Sequence, residues 1–382
     1  MKIASISDYR AAARRRLPHF LFEYIDGGSY AEQTLAANVA DLQRIKLRQR
    51  VLRDVSKIDL SVDLFGSRWA LPVALGPIGL AGLNARRGEV QAMRAAEKAG
   101  VPFALSTVGA CSLREVSAVA AKPFWFQLYM IRDRGFMSDL LTQAQSAGCG
   151  ALVFTVDMPV PGTRYRDYRS GLAGAAGFAG QAQRFLQACV KPDWAWDVGV
   201  CGGPHTLGTV APVLKGKTGI EDFFAWMGAN FDPSVTWDDL RWVRERWKGP
   251  LLLKGILDAE DARRAAELGA DGVVVSNHGG RQLDGVLSTA LALPRIADAV
   301  GENIKVLADG GVRSGLDVAR MLALGADGVL LGRAWAYALA ARGEAGVAHV
   351  LSLIAAELRV ALALTGVNAA RDLDRAALED IR

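Results

Sequence analysis

A rhythm constrains this chain more than any single residue does. Eight short apolar runs recur along it, each followed by a stretch patterned as helix. The runs are "LPVALG" (71–76), "PFALS" (102–106), "WFQLY" (125–129), "ALVFTV" (151–156), "LLLK" (251–254), "GVVVS" (272–276), "IKVLA" (304–308) and "GVLLG" (328–332). Strands that are continuously apolar are buried on both faces, the mark of a parallel sheet covered by helices. Between them, "RRGEVQAMRAAEKAG" stops at Gly100, and "DAEDARRAAELG" opens on Asp258 with an acidic first turn and stops at Gly269. "LGADGVVVSN" (268–277) and "LGADGVLLGR" (324–333) repeat one helix-to-strand joint. Eight such units predict an α/β chain folded as a (β/α)8 TIM barrel. The competing architecture is an open doubly wound sheet, but no GxGxxG follows the first run, which argues against a Rossmann dinucleotide site.

Composition supports a large core: 51% of the 382 residues are hydrophobic and 22% charged. We expect one barrel domain over 1–382, with a helical segment over 1–60. The net charge of +5 is spread among mixed signs, so no nucleic-acid partner is expected. The triplet Arg14-Arg15-Arg16 reads as the solvated face of a helix. Four cysteines without CxxC spacing and four histidines without HxH or HxxxH spacing give no metal site. "MKIASISDYRAAARRRLP" has no export-signal core, and no run looks long and apolar enough to span a bilayer, so a cytoplasmic protein is expected. One connection is anomalous. From Asp157 to Pro250 the chain runs far beyond an ordinary βα loop, and only "SVTWDDLRWVRERWKG" at its end reads as a crossover helix. The remainder, about 171–230, is expected to be an insertion after strand 4 that acts as a lid or docking segment.

Barrel enzymes put their chemistry at the C-terminal ends of the strands. Those ends here carry Pro77 and Gly79, Ser106, Gln127 and Tyr129, Thr155 and Asp157, Lys254, Ser276 to His278, Asp309 to Gly311, and Gly332 with Arg333. "ADGGVRSG" and "LGRAW" follow the last two strands and open helices with glycine, so backbone N–H groups with Arg313 and Arg333 suit a phosphate. In "SNHGGRQLD" (276–284), His278 suits a general base and Arg281 a carboxylate clamp, with Asp157 to orient the imidazole. Residue logic thus reaches a barrel enzyme with a phosphate-bearing ligand, a carboxylate substrate and a histidine base. It does not choose the cofactor.

At these residues the chain resembles the FMN-dependent 2-hydroxy acid dehydrogenase and oxidase family. "SNHGGRQLD" matches that family's active-site signature, and "YIDGG", "RRGEV", "WFQLY", "FTVD", "LLLKGI", "LADGGVRSG" and "LGRAW" follow its order along nearly the whole chain. The resemblance implies FMN as cofactor. Pro77, Ile78, Gly79, Ser106, Gln127, Thr155 and Ser276 would hold its ring, with Lys254 beside the anionic reduced ring. Asp309 would bind the ribityl chain, and Gly310, Gly311, Arg313, Gly332 and Arg333 the phosphate end. Tyr24, Tyr129, Arg164 and Arg281 would hold the substrate. His278, paired with Asp157, would remove the hydroxyl proton as hydride leaves the α-carbon, or else the α-proton itself.

"FLFEYIDGG", "WFQLYMIRDRGFM" and "FTVDMPVPGTRYRD" are most similar to the branch that oxidises L-lactate to pyruvate. A quinone-type acceptor, a homotetramer and peripheral attachment to the inner membrane are implied with it. Gly79, where the oxidase branch tends to carry alanine, points to a dehydrogenase. Mandelate or another 2-hydroxy acid as substrate, and oxygen as acceptor, are the alternatives. The segment 171–189 carries only Arg184 as a charge, and Trp194 and Trp196 follow, so the insertion is expected to dock on the membrane. Its charges balance, so docking is expected to be mainly apolar.

Overall fold

The eight apolar runs become eight parallel strands: β1 (Val73–Leu75), β2 (Ala104–Ser106), β3 (Trp125–Tyr129), β4 (Ala151–Thr155), β5 (Leu251–Ile256), β6 (Gly272–Val275), β7 (Lys305–Ala308) and β8 (Gly328–Leu331). The computed structural model describes residues 2–174, 177–214 and 220–379. From β2 to β8 each strand pairs with its sequence neighbour, and β8 pairs with β1. A bridge from Leu75 to Phe103 joins β1 to β2, so the sheet closes on itself. Strand residues are buried almost without exception, as strands covered on both faces must be.

Three helices precede the barrel: α1 (Ile6–Arg16), α2 (His19–Asp26) and α3 (Gln33–Arg44). The helical segment expected over 1–60 thus ends at Arg44. Around the sheet lie α4 (Gly88–Ala99), α5 (Leu113–Ser117) and α6 (Arg134–Ser146). The long connection holds α7 (Tyr165–Ser170), α8 (Phe178–Cys189), a π-helical turn at Ala195–Val200 and α9 (Ile220–Asn230). Residues 175–176 and 215–219 of the expected insertion lie outside the described residues. The outer ring then continues with α10 (Trp237–Arg246), α11 (Ala259–Glu267), α12 (Thr289–Val300), α13 (Gly315–Ala323) and α14 (Arg333–Thr365). The Gly100 and Asp258 signals sit where the sequence put them: Gly100 is left-handed at φ 68° and ends α4, and Asp258 caps α11.

One expectation needs correcting. Helix α14 is long and apolar enough to cross a membrane by length and composition alone. It instead buries residues such as Trp335, Leu339, Val350 and Leu358 against the barrel, and its course breaks at Arg342 and Gly343. Apolar faces on either side of such a break are what a helix packed on a core also needs.

Strand periodicity fills the barrel. Ala74, Ala104, Trp125, Val153, Leu252, Val274, Leu307 and Leu330 form one interior cluster. A hairpin of Val62–Leu64 and Ser67–Trp69 plugs its N-terminal end, with Phe65 and Trp69 each edge to face with Trp125. Side chains alternate along a strand, so residues two positions on point inward again, one layer higher. Those residues are Ser106, Gln127, Lys254, Ser276 and Asp309, with Thr155 above Val153. The polar floor of the mouth is therefore set by the same register that fills the core.

Candidate active site

Within that polar layer, side chains hold one another. Ser106 Oγ donates to Gln127 Oε1 at 2.9 Å, and Gln127 Nε2 donates to Thr155 Oγ1 at 3.0 Å. Lys254 Nζ donates to Ser276 Oγ at 2.9 Å and pairs with Asp309 at 3.2 Å. Burial opposes the Lys254 charge, yet Asp309 and Asp157 outweigh it and hold its pKa above the usual value. Ser106, Gln127, Thr155 and Ser276 are almost wholly buried and sit beneath the cleft rather than along its wall. The wall itself is made by Pro77, Ile78, Gly79, Tyr129, Lys254, His278, Arg281, Asp309 to Arg313, Gly332 and Arg333, with Tyr24 and Arg164 reaching over it.

The nonapeptide 276–284 serves the site almost residue by residue. Ser276 Oγ accepts the backbone N–H of His278 as well as the Lys254 ammonium. Asn277 exchanges two 2.8 Å amide hydrogen bonds with Asn38 of α3. His278, Gly279 and Gly280 are all left-handed, at φ 57°, 65° and 70°. A Cβ on Gly280 would meet the Leu35 backbone at 2.6 Å, so that turn demands glycine. The turn presents the imidazole to Asp157, whose oxygens lie 3.0 and 3.1 Å from His278 Nδ1. Burial would raise the Asp157 pKa, but His278 and Lys254 outweigh it and lower it, so the carboxylate stays charged. Gln282 Nε2 donates to the Asp157 and Val160 carbonyls, and Asp284 accepts the Gln33 and Thr34 N–H groups that open α3.

Cations dominate the rest. Arg281 Nη1 donates to the carbonyls of Tyr24 and Gly27 at 2.6 and 2.7 Å. Burial and the neighbouring Arg164 lower its pKa, so an added anion here is favoured. Arg164 and Arg281 lie 5.5 and 5.0 Å over the Tyr24 ring, and Arg164 Nε donates to Asp167 at 2.7 Å. Tyr129 is buried against Phe231, and burial pushes its phenol pKa up, so its hydroxyl stays protonated as a donor.

At the opposite end, Arg333 donates to the carbonyls of Ile25, Gly27 and Gly279 but meets no carboxylate among the described residues. Burial pushes its pKa down to about 9, helped by Arg281 and Arg313. A guanidinium buried among carbonyls alone suits a strongly charged anion such as a phosphate. Among the described residues, Asp309 Oδ1 is buried without a hydrogen-bond partner, which suits a ligand hydroxyl. These residues therefore fit FMN: a phosphate at Arg313 and Arg333, a hydroxylated chain at Asp309, and a ring over the floor around Lys254. One detail differs from expectation. The N-terminus of α13 is already occupied, because Ser314 accepts from Asp317 N–H and Glu357 from Gly315 N–H. The open helix end is that of α14, whose N-cap Gly332 offers no side chain, beside the left-handed Gly310 and Gly311.

The profile of the family "FMN-dependent dehydrogenase" matches residues 13–380. The chain belongs to that family. It is an FMN-dependent oxidoreductase, as the nonapeptide and the phosphate end led us to expect. An L-lactate dehydrogenase of Caulobacter sp. (strain K31) is 66% identical over 378 residues, 99% of either chain. One of Stenotrophomonas maltophilia (strain R551-3) is 60% identical over 381 residues, covering both chains completely. Among solved structures, the monotopic membrane protein (S)-mandelate dehydrogenase superposes with a TM-score of 0.94 at 36% identity over the whole of both chains. A mandelate oxidase gives 0.82 at 40% identity, over 97% of either chain.

Sequence reasoning missed residues that hold this family's site from behind. Asp26 of α2, 4% exposed, accepts from Arg10 Nε and Nη2, Arg166 Nη2 and Tyr337 Oη. It locks the stretch whose carbonyls hold Arg281 and Arg333. Its only signal was an acidic residue ending an apolar helix. Val108, Met158 and Met227 narrow the cleft, and nothing in their local sequence marked them.

Proposed function

We propose that the protein oxidises L-lactate to pyruvate and hands the electrons to a quinone-type acceptor at the inner membrane. The observation that carries the chemistry is the cleft shared by Arg281 and an imidazole whose Nδ1 is held by Asp157. With Nδ1 engaged, Nε2 is the nitrogen left to receive the substrate hydroxyl proton. Asp157 stabilises the imidazolium that results, and Arg164 and Arg281 fix the carboxylate beside the Tyr24 and Tyr129 hydroxyls. FMN, when bound, supplies the two-electron acceptor. Pro77, Ile78 and Gly79, above Ser106, Gln127, Thr155 and Ser276, would hold its ring, and Lys254 would offset negative charge on the reduced form. Asp309 would take the chain hydroxyls, with Gly310, Gly311, Arg313, Gly332 and Arg333 at the phosphate.

Lactate is preferred to larger acids because the relatives that match end to end at 60–66% identity are named L-lactate dehydrogenases. The second reading is mandelate, favoured by the superposition on (S)-mandelate dehydrogenase. Anaerobic mixing with each acid decides. L-lactate should bleach the flavin much faster than D-lactate or L-mandelate, and faster reduction by mandelate moves the assignment.

The membrane reading rests on α8. Phe178, Phe185, Leu186 and Val190 follow helical spacing, and each is at least 65% exposed. Arg184, the one charge in 171–189, turns inward and donates to the Gly171 carbonyl. Trp196 in the π turn is likewise exposed. Trp194, expected to anchor with it, is buried and donates to the Leu83 carbonyl, so it ties the insertion to the barrel instead. A peripheral homotetramer on the cytoplasmic face would present this surface four times. The double variant Phe185→Asp, Leu186→Asp should lose vesicle flotation while lactate still bleaches the flavin. Undiminished flotation would place docking elsewhere.

A further inference from the structure

Arg164 and Asp167 stand three residues apart at the start of α7, Arg164 as its N-cap and Asp167 as its third residue. An acid at that position ordinarily turns back to the N–H of the cap residue. Here Asp167 Oδ2 instead accepts Arg164 Nε at 2.7 Å, while the Asp167 N–H donates to the Arg164 carbonyl at 3.1 Å. The backbone that carries this carboxylate is fixed. Asp167 is 3% exposed, and its carbonyl accepts the N–H groups of Leu172 and Ala173 at 3.0 Å and the Ser170 hydroxyl at 3.2 Å. The Ser170 and Gly171 carbonyls in turn accept from Gln187 Nε2 and Arg184 Nη1 of α8. A carboxylate on such a backbone sets the direction of a long side chain. Arginine has many rotamers, and ordering it beforehand removes that cost from ligand binding.

The direction matters because a guanidinium offers a carboxylate either its Nε edge or its two Nη groups end on. Asp167 takes Nε. Arg164 lines the cleft and makes no other hydrogen bond or ion pair among the described residues, so its Nη end is left for a ligand. The same carboxylate also answers a problem of charge. Arg164 and Arg281 share the Tyr24 ring, at 5.5 and 5.0 Å. Two guanidinium groups so placed repel. Burial lowers the Arg281 pKa, Arg164 lowers it further, and Asp167 acts against both. Asp167 Oδ1 is buried without a hydrogen-bond partner among the described residues, so other donors do not draw this carboxylate away from Arg164.

We infer that Asp167 is a positioning residue: it turns the Nη end of Arg164 into the cleft and makes the paired arginines a preformed seat for the substrate carboxylate. This rests on the carboxylate-holding role proposed above for Arg164. The effect of Asp167 passes through that side chain.

A double-variant cycle on the FMN-loaded enzyme tests it, with the limiting rate of anaerobic flavin reduction and the half-saturating lactate concentration read separately. Asp167→Ala should raise the half-saturating concentration about 10- to 100-fold, the worth of one charge-assisted hydrogen bond, with a smaller fall in limiting rate and FMN retained. Added to Arg164→Ala it should cost little more, because the side chain it positions is already gone. Asp167→Asn keeps an acceptor for Nε and should recover most of the loss. Losses that multiply in the double variant would mean that Asp167 supports the fold rather than Arg164. An asparagine as poor as the alanine would mean that charge and not held geometry matters, and overturns the positioning role. Unchanged lactate binding in Asp167→Ala overturns the inference and leaves Arg164 its role. Unchanged lactate binding in Arg164→Ala overturns that role, and the inference with it. Should Asp167→Ala lose FMN, Asp167→Ser, also too short to reach Nε, carries the same cycle.

Discussion

The barrel mouth and the α7–α9 insertion are built by opposite rules. At the mouth nearly every polar side chain is fixed by another: Ser106 by Gln127, Lys254 by Asp309, His278 by Asp157. Strand register puts each of them one step above a core residue. In the insertion the apolar side chains of α8 face outward and its single arginine faces inward. One region spends its order on holding charges in place, the other on exposing surface that water disfavours. A change at the mouth should therefore alter chemistry with little effect on attachment, and a change on α8 the reverse.

The largest expected effect is at the base. His278→Gln keeps a polar side chain near Asp157 but cannot take a proton. Flavin reduction by lactate, followed anaerobically, should slow by about two to four orders of magnitude with FMN retained. Near-normal reduction would sink the assignment, and lost vesicle binding would break the division between the two regions.

Arg281→Lys comes next. It retains a charge but loses the planar fork, and one Nη is already committed to the Tyr24 and Gly27 carbonyls. A loss of about 10- to 100-fold in kcat/KM is expected, consistent with one charge-assisted hydrogen bond of about 1.5–3 kcal/mol. Unchanged steady-state constants would mean that Arg281 does not hold the carboxylate.

Asp26 sharpens the comparison because it stands behind the mouth and touches no cleft. Burial alone would raise its pKa, but Arg10, Tyr337 and Arg166 hold it well below the ordinary value. A depressed carboxylate adds stability above the unfolded pKa of about 4, and that stability is lost as pH falls toward the native value. Asp26→Asn should therefore lower the melting temperature at neutral pH and flatten its fall between about pH 5 and 3. Breaking a buried pair costs roughly 3–5 kcal/mol, and the half-exposed Arg10 puts this one at the low end. An acid limb identical to the parent's would mean that Asp26 is not the group responsible.

The two regions also differed in how much the sequence disclosed. The eight strands were legible because apolar runs and glycine stops are local, and so was "SNHGGRQLD", whose parts are adjacent in the chain. The Asn38–Asn277 amide pair and the Asp26 hub join segments hundreds of residues apart, and no local pattern encodes such a meeting. On α8 the sparse charge was legible but its direction was not. Only packing shows that Arg184 turns in and that Trp194 is a strut rather than an anchor.

Gly79 gives the smallest effect. It follows β1 at the cleft wall, and a Cβ there would meet Val108 Cγ2 at 2.8 Å and Tyr24 Oη at 3.2 Å. No positive φ protects this glycine, so alanine is allowed by the backbone and opposed only by those neighbours. Val108 can give by a few tenths of an ångström through its rotamer, whereas the Tyr24 hydroxyl is placed for substrate. Gly79→Ala should therefore raise KM for lactate a few-fold with FMN still bound, on the order of 1 kcal/mol of overpacking. A larger fall in kcat than rise in KM would mean that the added methyl disturbs the flavin ring instead. Turnover with oxygen against turnover with a quinone analogue gives the second readout. If glycine at this position favours the quinone, the alanine variant should move the ratio toward oxygen, and an unchanged ratio would remove Gly79 from the choice of acceptor.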